Sequence, residues 1–140
     1  MGARRKAREC ALQMLFQWEG SGDTPPDILA TFWQNQRASP ATREFAERLF
    51  TGTLAEREEI DALLRQHSEH WRVERMSAVD RSLLRLAVHE LRAYPRTPAA
   101  VVIDEALEIA RRFSSADSVE FINGVLDAVR KSLGGDKKAG

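Results

Sequence analysis

Apolar residues recur along this chain at three- and four-residue spacing, a period that predicts helices almost from end to end. Ala7, Ala11, Met14, Leu15 and Trp18 make one stripe of a helix over Ala3–Trp18. The run from Gly20 to Pro26 stops it. Thr24 then caps a second helix, with Pro25 at its first position and Ile28, Leu29, Phe32 and Trp33 as its core face. Ser39-Pro40 repeats that start signal for a stretch reaching about His67, with Phe45, Leu49, Leu54, Ile60, Leu63 and Leu64 inward. Gly52 is expected to kink or split this stretch, because glycine costs ~1 kcal/mol inside a helix. Ser68–Met76 mixes charge with Trp71 and Val73 and reads as a connection.

Ser77 and Asp80 have capping-box spacing, with Asp for the preferred Glu. The helix they open carries Val79, Leu83, Leu84, Leu86, Ala87, Val88 and Leu91 on more than one face, which predicts a central position. Pro95 and Pro98 end it, and Thr97-Pro98 starts the next, with Ile103, Ala106, Leu107, Ala110 and Phe113 on one side. After the polar break Ser114–Ser118 comes a helix with Ile122, Val125, Leu126, Val129 and Leu133, which Gly134-Gly135 is expected to terminate. Residues 136–140 are expected to fray. No segment alternates in the manner of a half-buried strand. The expected class is all-α, a compact bundle of about six to seven helices in a single domain.

The chain has 140 residues, about one domain's worth, 43% apolar and 30% charged. No apolar run approaches the roughly 20 residues of a membrane span. Glu9, Gln13 and Gln17 interrupt any signal-peptide core, and a lone Cys10 excludes an internal disulfide. These features predict an intracellular, cytoplasmic protein. Net charge is zero, which excludes a uniformly basic nucleic-acid binder. The charge is nevertheless blocked: residues 1–18 carry +3, 19–70 carry −5, 71–98 carry +3, 99–129 carry −4 and 130–140 carry +3. Basic and acidic faces on one molecule can address RNA and a protein separately.

Catalytic constellations are weak. His67, His70 and Glu74 could share a helix face, but three polar residues at a helix end fit a solvated surface better than a metal site. Cys10 lies among arginines that would lower a thiol's pKa, yet its neighbours Ala11 and Leu12 suit a packing residue. Glu58, Glu59 and Asp61 read as a solvated carboxylate face. No phosphate-cradling glycine loop occurs, and neither enzyme activity nor a cofactor is expected. The stronger signal is Arg4, Arg5, Lys6 and Arg8 at the opening of the first helix. Cations and free N–H groups there favour phosphates, and Phe16 could offer a stacking face.

Arg4-Arg-Lys-Ala-Arg8-Glu-Cys10-Ala-Leu-Gln-Met-Leu-Phe-Gln-Trp18 resembles the opening helix of the NusB family of bacterial transcription antitermination factors. Val79-Asp80-Arg81 with Leu84-Arg85-Leu-Ala and Glu90-Leu91 is similar to that family's central helix. Val102-Ile103-Asp104-Glu105-Ala106 with Glu108-Ile-Ala110 and Phe113 resembles the next. Asp117-Ser118 followed by Phe121-Ile-Asn123-Gly124-Val-Leu126-Asp127 looks like its most distinctive string. The resemblance spans nearly the whole chain in order.

It implies two packed helical subdomains, here about 1–70 and 77–134, and no catalysis. It implies binding of single-stranded boxA RNA from ribosomal RNA operon leaders, together with NusE, a protein of the small ribosomal subunit. The pair would join an RNA polymerase elongation complex with other Nus factors. A homodimer is left open. Carried over residue by residue, the RNA contacts are Arg4, Arg5, Lys6, Arg8, Phe16, Asp117, Phe121 and Asn123. Asp117 or Ser118 could also simply cap the last helix. Glu74 and Asp80 match acidic positions of the NusE-facing region. The same fold fronts certain ribosomal RNA methyltransferases, but a chain ending at Gly140 is expected to carry no such chemistry. The alternative is a helical adaptor that binds proteins only.

Overall fold

The structure, a computed structural model, describes residues 2–68 and 73–139, the last five as backbone only. Among these residues are seven α-helices and one 3-10 turn. They are α1 (Ala3–Ser21), α2 (Pro25–Phe32), α3 (Pro40–Ala55), α4 (Arg57–His67), the turn Val73–Arg75, α5 (Ala78–Ala93), α6 (Ala99–Phe113) and α7 (Ala116–Ala139). The all-α expectation holds. No described helix is long and apolar enough to cross a membrane.

Local chemistry sets most of the boundaries. Thr24, Ser39 and Ser77 each accept a hydrogen bond from the backbone N–H three residues on, as N-caps do. Gly22 closes α1 with φ 77°, a conformation that glycine reaches without steric cost. Three expectations shift. The long third stretch divides at Glu56 rather than at Gly52. Gly52 lies inside α3, where the His89 ring packs on it. A Cβ there would sit 2.5 Å from His89 Nε2. Pro98 occupies the cap position of α6, which begins at Ala99. Finally, α7 continues through Gly134 and Gly135, so the expected stop there is not used.

Helix α5 is the hub. It packs against α1, α3, α4, α6 and α7, and Leu83, Leu84, Leu86, Val88 and Leu91 are all buried. A fully buried Leu contributes about 1.5–3 kcal/mol, so this helix anchors the core. Its polar residues are tied to its neighbours. Glu90 accepts two hydrogen bonds from Arg8 of α1, at 2.8 and 2.6 Å. Arg81 pairs with Glu19 at the other end of α1. Arg85 grips Asp61 of α4 at 2.8 and 2.9 Å. His89 Nδ1 meets Glu56 at the α3–α4 junction, 2.7 Å away. Asp80 accepts from Ser114 (2.6 Å) and Ser118 (2.7 Å) at the α6–α7 junction. Asp61 is therefore buried and paired, not part of a solvated face, whereas Glu58 and Glu59 are exposed.

Candidate nucleic-acid interface

Consecutive residues of a helix point about 100° apart, so four cations in a row cannot all face one way. The structure divides the basic cluster among four surroundings. Arg4 is exposed and lies over the Phe45 ring of α3, 4.7 Å from its centroid. Arg5 is half-buried and grips Glu105 of α6 at 3.0 and 2.5 Å. Lys6 faces solvent. Arg8 is buried at 4% exposure against Glu90, with Glu105 3.6 Å away. Burial works against its charge, but the hydrogen bond and charge of Glu90 outweigh it and raise its pKa. Arg8 is thus a structural cation. Its expected role as a phosphate contact does not fit this placement, because both members of the pair are withdrawn from solvent.

The exposed face of α1 carries Lys6, Gln13 and Phe16. Arg112 of α6 ties to Glu9 between them. Phe16 is 47% exposed and faces Phe113, 43% exposed, across an apolar groove of about 220 Å³ completed by Leu12, Gln13 and Val79. Phe113 was expected in the core, but the end of α6 turns it onto this surface.

The second expected segment opens α7. Asp117 is exposed, and Phe121, one turn on, is half-buried. Both line a cleft of about 100 Å³ with Arg75, Met76, Ser77, Asp80 and Ser118. The cap of α7 is Ser115, which accepts from the Ser118 N–H, so Asp117 is not used as the cap. Asn123 is exposed. It lies two residues beyond Phe121 and so turns to another side of α7. The first turn of α5 separates the two depressions: Val79 lines one, and Ser77 and Asp80 line the other. Folding therefore brings Phe16 and Phe121 to opposite sides of one turn, although 105 residues separate them in sequence.

Of the two acids expected on a partner face, Glu74 is exposed and bound to Arg65 at 2.9 Å. Asp80 is 8% exposed with both oxygens occupied by serines, so it holds the α6–α7 junction instead of presenting charge. The orienting serines Ser114 and Ser118 were missed; a buried Asp needing two donors is their only sequence signal. Burial pushes the Cys10 thiol up, the opposite of the lowering that nearby arginines suggested. Among the described residues no group of three His, Cys, Asp or Glu is placed to hold a metal. His70 lies outside the described residues.

Two aromatic depressions astride one helix start, with cations along the adjoining helix, give this small all-helical protein the form of a nucleic-acid-binding module. Comparison with known proteins sharpens this class. The model of the NusB family matches residues 5–131. A transcription antitermination protein NusB from Koribacter versatilis is 51% identical over 138 residues, covering 98% of this chain and 94% of that protein. A solved T. maritima NusB superposes with a TM-score of 0.83 at 35% identity, covering 91% of this chain and 90% of that one. A crystal structure of antitermination factors NusB and NusE in complex with dsRNA gives a TM-score of 0.84 at 26% identity, covering 93% and 97%. The chain belongs to the NusB family.

Proposed function

We propose that this protein is a transcription antitermination factor that binds single-stranded boxA-type RNA of ribosomal RNA operon leaders in the cytoplasm. In this reading it acts with NusE and other Nus factors on an RNA polymerase elongation complex. The observation that carries the reading is the pairing of Phe16 and Phe121 across the first turn of α5. Two ring faces there can stack on successive unpaired bases, each contributing ~1–3 kcal/mol. Asp117 can accept from a base amino group, and Asn123 can hydrogen-bond the strand where it leaves the cleft. Lys6, Arg4 and Arg5 supply charge for phosphates. Arg8 and Asp80 act as positioning residues: one holds α1 to α5, the other holds α7. Glu74, ion-paired to Arg65, is the acid on the NusE-facing side. A protein-only adaptor is the second reading, favoured by the apolar lining of the Phe16 groove.

The test is fluorescence anisotropy of a labelled boxA-type RNA titrated with this protein, with and without NusE, at two salt concentrations. Binding should tighten with NusE and weaken when the RNA is scrambled. Absence of binding by the folded protein, even with NusE, would leave the protein-only adaptor.

A further inference from the structure

Seven of the described arginines outside α1 are ion-paired to a carboxylate: Arg65, Arg81, Arg85, Arg92, Arg111, Arg112 and Arg130. Arg4, Arg48 and Arg96 are in none of these pairs, nor are Arg37, Arg43, Arg57 and Arg75, but the first three line one cleft together. No carboxylate lies within ion-pair distance of any of them among the described residues. All three are exposed, and they converge on one surface. Two depressions of about 320 and 350 Å³ meet there, sharing Arg4, Phe45 and Arg48. The second is closed by Tyr94 and Arg96. Each is as large as the smaller clefts that hold ligands, ~300 Å³.

The guanidiniums are held ready. Arg4 lies 4.7 Å and Arg48 5.9 Å from the Phe45 ring centre. Phe45 is braced edge-on by Tyr94, 5.7 Å between ring centres. A guanidinium held on a ring face keeps its in-plane N–H groups available, and these match phosphate oxygens. Helix geometry adds to the field. The first turns of α1 and α3 line the cleft, as does Thr97 just before α6. The starts of α1 and α6 have no side-chain cap, so their N–H groups add positive potential. Glu44 is the one acid among the lining residues.

We propose that this cleft is a second phosphate track, which takes the backbone of the same RNA strand beyond the bases held beside α5 and α7. The inference rests on the RNA reading above and extends it to Arg48 and Arg96, on α3 and the α5–α6 connection. Arg4 and Phe16 are twelve residues apart on α1, about 18 Å along the axis. A strand of ordinary length therefore reaches both ends.

The experiment compares a labelled boxA-type RNA with the same RNA carrying a uridine tract at either end. Each is titrated over a salt series with the wild-type protein and with the Arg48→Gln/Arg96→Gln double variant. Both residues are exposed, so the double variant should melt with the wild type. The wild type should bind the extended RNA more tightly and with a steeper salt dependence. The double variant should lose that increment, its slope falling by about 1.4 for two single-strand phosphate contacts, and still bind the short RNA as the wild type does. An extension that adds nothing, or an increment that survives the double substitution, would overturn the second track while leaving the function proposed above intact. Failure of the short RNA to bind the wild type counts against that function itself, and if the extended RNA fails as well, both fall.

Discussion

The burial of Arg8 changes what its removal should do. Its guanidinium gives two hydrogen bonds to Glu90, at 2.8 and 2.6 Å, and the two side chains are only 5% and 2% exposed. Arg8→Ala leaves a carboxylate unpaired in the core between α1 and α5. Breaking a buried pair from one side costs about 3–5 kcal/mol. At about 3 °C per kcal/mol for a domain of this size, Tm should fall by roughly 10 °C or more. Urea denaturation and thermal melting at neutral pH measure this directly. The double substitution Arg8→Met/Glu90→Leu removes both charges and keeps the volume. Such swaps are often neutral or stabilising, so most of the lost stability should return. RNA affinity and its salt dependence should return with it, because the guanidinium does not reach solvent. A double variant that folds as well as the wild type yet binds RNA with a shallower salt dependence would refute this reasoning and make Arg8 a phosphate ligand.

Gly52→Ala should destabilise the protein although it replaces a glycine in a helix. The added Cβ would sit 2.5 and 2.7 Å from His89 Nε2 and Cε1, and the displaced ring loses Glu56. Overpacking of about 1–3 kcal/mol outweighs a propensity gain of ~1 kcal/mol, and a higher urea midpoint would contradict it. The Glu105 carboxyl is held below its ordinary 4.5, chiefly by the hydrogen bond from Arg5, with the charges of Arg5 and Arg8 adding and burial opposing. A depressed carboxyl contributes stability above its unfolded value, and this is lost as pH falls through the folded one. The difference in urea midpoint between wild type and Glu105→Gln should therefore be constant at neutral pH and shrink below about 4.5. A pH-independent difference would show that the charge plays no part.

Helix starts were legible because Thr24, Ser39 and Ser77 act on N–H groups three residues away, which any sequence reading can see. The centrality of α5 was legible from apolar residues on several of its faces. What the sequence hid was long-range. Gly52 looks like a break until His89 is known to lie on it. The glycines at 134 and 135 look like a stop until the backbone is seen to carry on. The basic run looked like one patch because Glu105 and Glu90, which claim Arg5 and Arg8, lie 100 and 82 residues away. Phe16 stood out on the flank of the basic helix and Asp117 through family resemblance, while Arg48 and Arg96 match no motif and gain meaning only beside Arg4. Asp80 was read for its charge, but two serines across the bundle decide its role.

The distance in sequence between Arg8 and Glu90 also bears on how the protein is made. The core position of Arg8 has no counter-charge until a residue 82 positions later has been synthesised. At ~5–20 residues per second that delay is about 4–16 s. During that time α1 can be helical, but its arginine stays with water and its apolar stripe lacks the central helix. The N-terminal half thus carries its basic end before the carboxylate that buries Arg8 exists. Helix α1 packs against α2 and α3, which are made first, and α5 completes its burial.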